Sequence, residues 1–449
     1  MYKLILPFRY LLKRHISYLA FVAVALCVFI VVVVMTVMRG LVTDFKQKNH
    51  RFVGDCVVGT DSLVGFAYYE DFVKVLEQQD FVHAVSPVVK SYGLINASGS
   101  KQNFGIEVMG INAACHSKVT AFTEMLYHTK DDPTRAFTPG NDPNLIGCIV
   151  GIDRWLSRDP NGIYKYESYR RRTKLAISCF PLTPKGALEK AGAGMVNTKT
   201  FYYTDTLHSG LARVDSSVIM LPLEQLQLLC GMASSVKRIS SLYIKFKDDV
   251  RLETGRDKVA ALWRDFVKEK ADEKYAYLFK TVTVQTWKEN RRTFIAAMEK
   301  EQTMLIAMFG LVGLTTVFVV FVVFYMIISH KSKDIGILKS VGVSNANLIQ
   351  IYLVFAFFIG ILGSAVGSLL GWRFLVNINS IENWLYGKFG FQMWDRTIYA
   401  IGDIPSHIEF KILIVIIVSA IIACLLGAIV PTWQAARLKP VESLQVNQL

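Results

Sequence analysis

The sequence predicts an integral membrane protein with four transmembrane helices in a 1+3 arrangement and a large α+β domain inserted between helices 1 and 2. Three observations carry this. The uncharged apolar stretches 16–38, 303–329, 348–372 and 412–430 each reach the ~20 residues needed to cross the hydrocarbon core of a bilayer. Between the first and second lies a segment of ordinary globular composition in which short strand-like and helix-like patterns alternate. Finally, basic residues collect beside the first apolar stretch, between the second and third, and after the fourth.

The expected layout is a cytoplasmic segment 1–15, span 1 at 16–43, the inserted domain at 44–302 and span 2 at 303–329. A cytoplasmic loop at 330–347, span 3 at 348–372, an outer loop at 373–411, span 4 at 412–430 and a cytoplasmic tail at 431–449 follow. Over 449 residues, 52% are hydrophobic and mean hydropathy is +0.34. That is too apolar for a soluble enzyme and too charged for spans alone. The net charge of +14 does not indicate nucleic acid. Half of it sits with Lys3, Arg9, Lys13 and Arg14, with Lys331, Lys333 and Lys339 against Asp334, and with Arg437 and Lys439 against Glu442. An even number of spans puts these groups on one side, which the positive-inside rule makes cytoplasmic. Arg39, Lys46, Lys48 and Arg51 run against that signal, whereas the loop 373–411 is neutral and restores it. The first span is read as a retained signal anchor, because its apolar run is long and no small-residue cleavage site follows.

Within the domain, strands are expected around 55–59, 83–89, 92–96 and 104–109, the last two joined as a hairpin across 97–100. Phe72, Val73 and Leu76 give a helical face. A strand at 145–150 leads into a short helix at 153–156, and a strand at 217–221 into a helix at 222–230. Leu242, Ile244 and Phe246 alternate as a half-buried strand, and Val259, Leu262, Trp263, Phe266 and Val267 repeat at helical spacing. The result is a mixed α+β domain with its own core, in one or two lobes. From Gln285 the pattern turns helical, with Trp287, Phe294, Ala297 and Met298 on one face, and runs into span 2 either as a stiff lever or as an ordinary juxtamembrane helix. Seven cysteines, with Cys56, Cys115, Cys148, Cys179 and Cys230 in the domain, show no CxxC. Buried thiols are the plainer reading, with one or two disulfides as the alternative.

No catalytic residue is assigned. The phosphate-loop, HExxH and GxSxG patterns are all missing from the sequence, and its eight histidines are too scattered for a metal site. The sharpest local feature is the loop between spans 2 and 3. Ile335, Leu338, Val341 and Gly342 recur at helical spacing beside Lys333, Asp334 and Lys339. This predicts a short amphipathic helix stopped by Gly342, with Ser344 capping span 3. It lies on lipid headgroups or seats in a groove of a cytoplasmic motor. Span 3 carries Gly363, Gly367 and Gly371 beside Ser364 and Ser368, a flat stripe for close approach by another helix, in this chain or a second subunit. Arg170, Arg171, Arg172 and Lys174 read as a charged edge. Trp384, Tyr386, Phe389, Phe391, Trp394 and Tyr399 read as an interfacial aromatic belt in the outer loop.

Taken in order, several segments resemble the lipoprotein-releasing permeases of ABC transporters, the LolC/LolE type, within the wider group of MacB- and FtsX-like permeases. They are Val37-Met38-Arg39-Gly40, Met298-Glu299-Lys300-Glu301, the run from Lys333 through Ile335, Ile337 and Lys339 to Gly342, and the run from Pro431 to Leu444, with Asp403-Ile404-Pro405 and Val214-Asp215-Ser216-Ser217 in support. Arg39 stands where that family usually has a small polar residue, and the segment 185–199 is expanded. The resemblance implies no ATPase site or cofactor in this chain. It implies ATP-Mg on two copies of a separate ABC ATPase, and a second permease subunit that makes a homo- or heterodimer. The motor-coupling residues would be Lys333, Asp334, Ile335, Ile337, Leu338, Lys339, Val341 and Gly342. A hook for a periplasmic lipoprotein carrier would be Phe180, Pro181, Leu182, Thr183, Pro184 and Lys185, with Phe180 or Leu182 as apolar anchor. A cavity for the acylated cargo, walled by spans 1 and 2, would involve Met35, Met38, Met304, Met308 and Phe309. The place implied is the bacterial inner membrane, among its lipids, with the large domain in the periplasm and no nucleic-acid partner. Two related activities stay open at this point: a MacB-like exporter, and an FtsX-like transmitter of motion to cell-wall hydrolases.

Overall fold

A computed structural model describes residues 15–97, 102–140, 142, 144–156, 164, 173–189, 196–233, 236–330, 332–390 and 404–437. The basic N-terminal residues, the tip at 98–101, Arg170–Arg172, Lys331, Phe391, Trp394, Tyr399 and the tail from Leu438 lie outside them. So do the side chains of Lys333, Asp334 and Leu338. The chain forms two compact units, one of them Asp44–Ala296 and the other the helical stretches on either side of it in sequence.

The α+β unit is built on one nine-stranded sheet. In chain order its strands are β1 (Cys56–Gly59), β3 (Val82–Ala97), β4 (Phe104–Ile111), β5 (Gly147–Gly151), β6 (Lys174–Cys179), β7 (Asn197–Leu207), β8 (Val218–Pro222), β10 (Ser241–Phe246) and β11 (Thr283–Thr286). A small second sheet pairs β2 (Phe66–Ala67) with β9 (Arg238–Ile239). The order is β11-β1-β10-β3-β4-β8-β5-β7-β6, and β6 returns to pair with β3, so that six strands close a ring. The pairs β4–β8 and β5–β7 are parallel. One apolar cluster, including Ile106, Val108, Val150, Ile177, Phe201 and Leu221, fills one side of this sheet. A second, with Val88, Met109, Ile149, Met220 and Tyr243, covers the other. The strands at 83–89 and 92–96 are therefore one 16-residue strand, β3. Gly93 within it is a site of close approach, since a Cβ there would fall 2.6 Å from the Ser178 carbonyl oxygen. β10 is buried on both faces, not one. Gln285 belongs to strand β11, and the helical pattern begins only at Trp287.

Helices α2 (Tyr69–Glu77), α7 (Leu223–Leu229) and α8 (Leu252–Glu269) lay their apolar stripes on the sheet. Phe72 and Phe266 meet Trp263 at ring centroid distances of 4.8 and 5.7 Å. Buried polar groups in this unit converge on few acceptors and donors. Asp205 accepts from the backbone N–H groups of Tyr127, His128, Thr129 and Thr206. Asp215 accepts from Ser209 and Gly210. Where the chain enters and leaves the unit, His50 bonds Asp55 at 2.6 Å and stacks on Trp287. Asp55 also accepts from the Phe246 amide and pairs with Lys245. Together with His50, these partners outweigh the burial that would raise its pKa and hold it below the ordinary value.

Among the described residues, the second unit contains four helices long and apolar enough to cross a membrane: α1 (His15–Val53), α10 (Arg292–His330), α12 (Asn345–Phe389) and α13 (Phe410–Arg437), with the short α11 (Ser332–Ser340) between the second and third. Of the aromatic residues expected in the outer loop, Trp384, Tyr386 and Phe389 lie on α12, which ends at Gly390 in the left-handed conformation. The unit's core joins Val24, Val28 and Val32 of α1 to Val320 and Phe324 of α10, Phe355 and Ile359 of α12, and Cys424 and Ala428 of α13.

Candidate functional sites

In the helical unit, α1, α10 and α13 line an apolar cavity of ≈ 380 Å³ that is open on one side. Its walls include Val31 and Met35 of α1, Phe309 and Gly313 of α10, and Val415 and Ser419 of α13. The volume exists because α10 presents glycine there. A Cβ added to Gly310 or Gly313 would meet nothing within 4 Å. Of the five positions expected from the sequence, Met35 and Phe309 line the cavity. Met38 is half-buried outside the lining, and Met304 and Met308 are 60% and 59% exposed. The physical reason is helical phase: Ile306, Phe309, Gly310 and Gly313 share one face of α10, whereas Met304 and Met308 share another. The third wall, α13, was not anticipated. Its lining residues Ile412, Val415, Ile416, Ser419, Ala420 and Ala423 recur at helical spacing, and the run of small residues among them was the available signal.

The glycine stripe of α12 packs against α1 of the same chain. A Cβ at Gly363 would fall 2.9 Å from Val24 Cγ1, one at Gly367 2.9 Å from Val28 Cβ, and one at Gly371 3.0 Å from Val32 Cγ1. Of the two partners the sequence left open, the structure supplies the intramolecular one. Arg39 donates from Nε to Glu409 Oε1 at 3.1 Å, an exposed ion pair.

α11 stops at Gly342, whose φ of 96° suits a residue without a Cβ, and Ser344 caps α12 by accepting from the Asn347 amide. The predicted coupling positions divide. Ile335 is buried in the unit's core, and Lys339 donates to the Ala436 carbonyl at 2.8 Å. Ile337 and Val341 are exposed. Of the apolar face expected from the spacing, Ile335 is taken into the core and Val341 stays exposed, and Ile337, a coupling position outside that face, is exposed as well.

In the α+β unit, the segment after β6 is a tight hairpin. The Thr183 amide donates to the Ala187 carbonyl and the Gly186 amide to the Thr183 carbonyl, with an isolated bridge between Leu182 and Leu188. Gly186, at φ 83°, makes the turn possible. The root is fastened by Arg238, fully buried, which donates to the carbonyl oxygens of Val64, Leu182 and Gly231 at 2.7–2.9 Å. The Leu182 amide donates to Cys230 O, and the Tyr277 hydroxyl to Pro184 O. Phe180, Lys185 and Leu188 are exposed, whereas Pro181 is buried and Leu182 half-buried. Leu182 therefore belongs to the root, and Leu188, which the sequence reading passed over, is the exposed apolar residue opposite it. Arg238 was missed as well; beside Lys237 it reads as one of two surface cations and carries no sequence signal of burial.

Among the described residues no group of three or more His, Cys, Asp or Glu is disposed to hold a metal ion. Residues 306–440 match the family described as FtsX-like permease C-terminal. Across 440 residues the chain is 20% identical to the lipoprotein-releasing system transmembrane protein LolC of Xylella fastidiosa (strain 9a5c), covering 96% of each. It is 22% identical over 438 residues to LolC of Neisseria meningitidis serogroup B, covering 96% of this chain and 94% of that one. A solved structure of the periplasmic region of MacB from Actinobacillus actinomycetemcomitans aligns with 55% of this chain and 95% of its own at 12% identity and a TM-score of 0.31, too distant to carry an argument. By sequence, the chain is similar over almost its whole length to the LolC/LolE-type lipoprotein-releasing permeases, within the broader FtsX-like permease group.

Proposed function

We propose that this chain is the permease subunit of an ABC transporter that lifts lipoproteins from the outer leaflet of the inner membrane and hands them to a periplasmic carrier. The observation that carries the reading is the cavity walled by α1, α10 and α13, in a chain resembling LolC proteins from end to end. At ~0.8 kcal/mol per buried CH₂, a multiply acylated anchor resists transfer to water by tens of kcal/mol. Its chains must pass from lipid into an apolar enclosure and then into a carrier. A volume of ≈ 380 Å³ with no ionised residue in its lining is of the size that holds small apolar ligands, ~300–1,000 Å³.

In this reading the α+β unit faces the periplasm, and both termini and α11 face the cytoplasm, where Ile337 and Val341 meet a separate ATPase present in two copies that carries ATP-Mg. A second permease subunit completes the complex. The hairpin at 180–188 meets the carrier, with Phe180 and Leu188 as its exposed apolar residues. A photo-crosslinker at Phe309, in the intact complex, should capture acylated protein, and one at the exposed Met308 should capture mostly lipid. Equal capture of cargo at the two positions would remove the cavity from the transport path. Capture of a cell-wall hydrolase regulator by a crosslinker at Leu188 would replace lipoprotein release with motion transmission.

A further inference from the structure

Two of the cysteines in the α+β unit lie side by side at the root of the hairpin. Cys179 ends β6 immediately before Phe180, and Cys230 follows the last residue of α7. Their backbones are held together from both flanks. The Leu182 amide donates to Cys230 O at 3.0 Å, and Asn197, the register partner of Cys179 on β7, donates from Nδ2 to Leu229 O at 3.1 Å. The Cys179 and Cys230 thiols are close enough to shift each other's acidity, and the Ser91 hydroxyl also lies beside Cys230. On the other strand, Gly93 leaves the space the Cys179 sulfur occupies; a Cβ there would fall 3.2 Å from Sγ. Cys56 and Cys148, although equally buried, have no such neighbour among the hydrogen bonds and electrostatic contacts found for them.

We infer that Cys179 and Cys230 are a disulfide-forming pair that staples the hairpin root to the end of α7. The inference rests on the periplasmic placement proposed above only for its oxidant, a protein carrying a reactive disulfide. Cys230 is the attacking sulfur. The neighbouring Cys179 thiol lowers its pKa, with help from the Ser91 hydroxyl and the Arg238 guanidinium, whereas the Cys230 sulfur and burial push Cys179 up. The Cys230 thiolate attacks the oxidant's disulfide and releases one of its sulfurs as a thiol. Cys179 then loses its proton and attacks the Cys230 sulfur of the mixed disulfide, releasing the second. Two electrons and two protons pass to the oxidant. Both sulfurs are buried once folding is complete, so the exchange takes place late in folding, after the two sulfurs and Arg238 have met and before the core closes over them, and the finished bond is shielded from reductants.

The test uses the full chain, taken from membranes with free thiols blocked by N-ethylmaleimide at lysis and digested without reduction. The expected product is a cross-linked peptide joining Cys179 to Cys230, lighter by two hydrogens than the reduced pair. C179S and C230S should each expose one new blockable thiol, while C148S leaves the link intact. Reduction should speed hydrogen exchange of the Leu182 amide by about tenfold, because the hairpin root then opens locally. If the pair is reduced in membranes yet links when purified protein is unfolded and refolded with oxidised glutathione, the pairing stands and the periplasmic placement falls. Recovery of both cysteines as N-ethylmaleimide adducts after that refolding, or linkage of either one to Cys56, Cys115 or Cys148, overturns the inference.

Discussion

The α+β unit and the helical unit solve the same problem, fixing chain segments that are far apart in sequence, by opposite means. In the first, a few buried polar groups gather many backbone partners: Asp205 takes four amides and Arg238 satisfies three carbonyls. In the second, the fixing device is the absence of side chains, with Gly363, Gly367 and Gly371 letting α12 approach the valines of α1. Desolvation explains the choice. A polar group taken from water must recover its hydrogen bonds, and a sheet with loops offers many free backbone groups, whereas a helix in lipid has already satisfied its own. Close packing is what remains to hold helices together.

The contrast breaks most severely at Arg238. Arg238→Met should leave the three half-buried carbonyls of Val64, Leu182 and Gly231 without a donor and cost about 3–5 kcal/mol. Thermal unfolding of the purified chain, with limited proteolysis at Lys185, reads both the stability and the release of the hairpin. A loss under about 1 kcal/mol would mean that water replaces the guanidinium and the polar fastening is weaker than its geometry.

Gly367→Leu tests the other device. Its new side chain meets Ala25 and Val28 and should cost about 1–3 kcal/mol by overpacking, visible as lower resistance of the helical unit to heat in detergent. Full stability would show that α1 and α12 separate easily.

The α+β unit should also answer to pH. His116 is fully buried and burial lowers its pKa to about 3. The unfolded chain takes up that proton near pH ~6.5. The stability it contributes is therefore complete above pH ~6.5 and is lost as pH falls toward 3, at up to ~1.4 kcal/mol per unit. His116→Phe should flatten that slope; an unchanged slope would assign the acid sensitivity to other groups.

The smallest effect on stability is expected at Gly313→Leu, within about 0.5 kcal/mol, because the added side chain enters open space. Release of acylated protein should nevertheless fall, since that space is the proposed acyl site. Undiminished release with the cavity filled would detach the cavity from function.

The four long apolar helices were legible because hydropathy over ~20 residues is a one-dimensional signal. The stripe of α12 was legible as a contact surface, but its partner was not, since a pattern on one helix says nothing about which neighbour fills it. β3 was divided at Lys90-Ser91, two polar residues that interrupt the apolar pattern, and only their pairing with Met109 and Val108 of β4 shows one continuous strand. The cavity was half seen: bulky residues were chosen without regard to helical phase, and the space depends on Gly310 and Gly313, which leave no trace as side chains. Arg238 and the Cys179–Cys230 neighbourhood depend on segments that meet only after folding, beyond the reach of any local pattern.

The strand that carries the hairpin, β6, is hydrogen-bonded along both edges, to β7 through Lys174–Cys179 and to β3 through Leu175–Cys179. A pull on the hairpin tip along the strand axis therefore loads two ladders of hydrogen bonds in parallel, in shear. A strand held on one edge can be peeled, its bonds failing one after another, whereas here they share the force and must fail together. The hairpin is mounted so that traction on it is borne by the ring of strands behind it rather than dissipated in its own root.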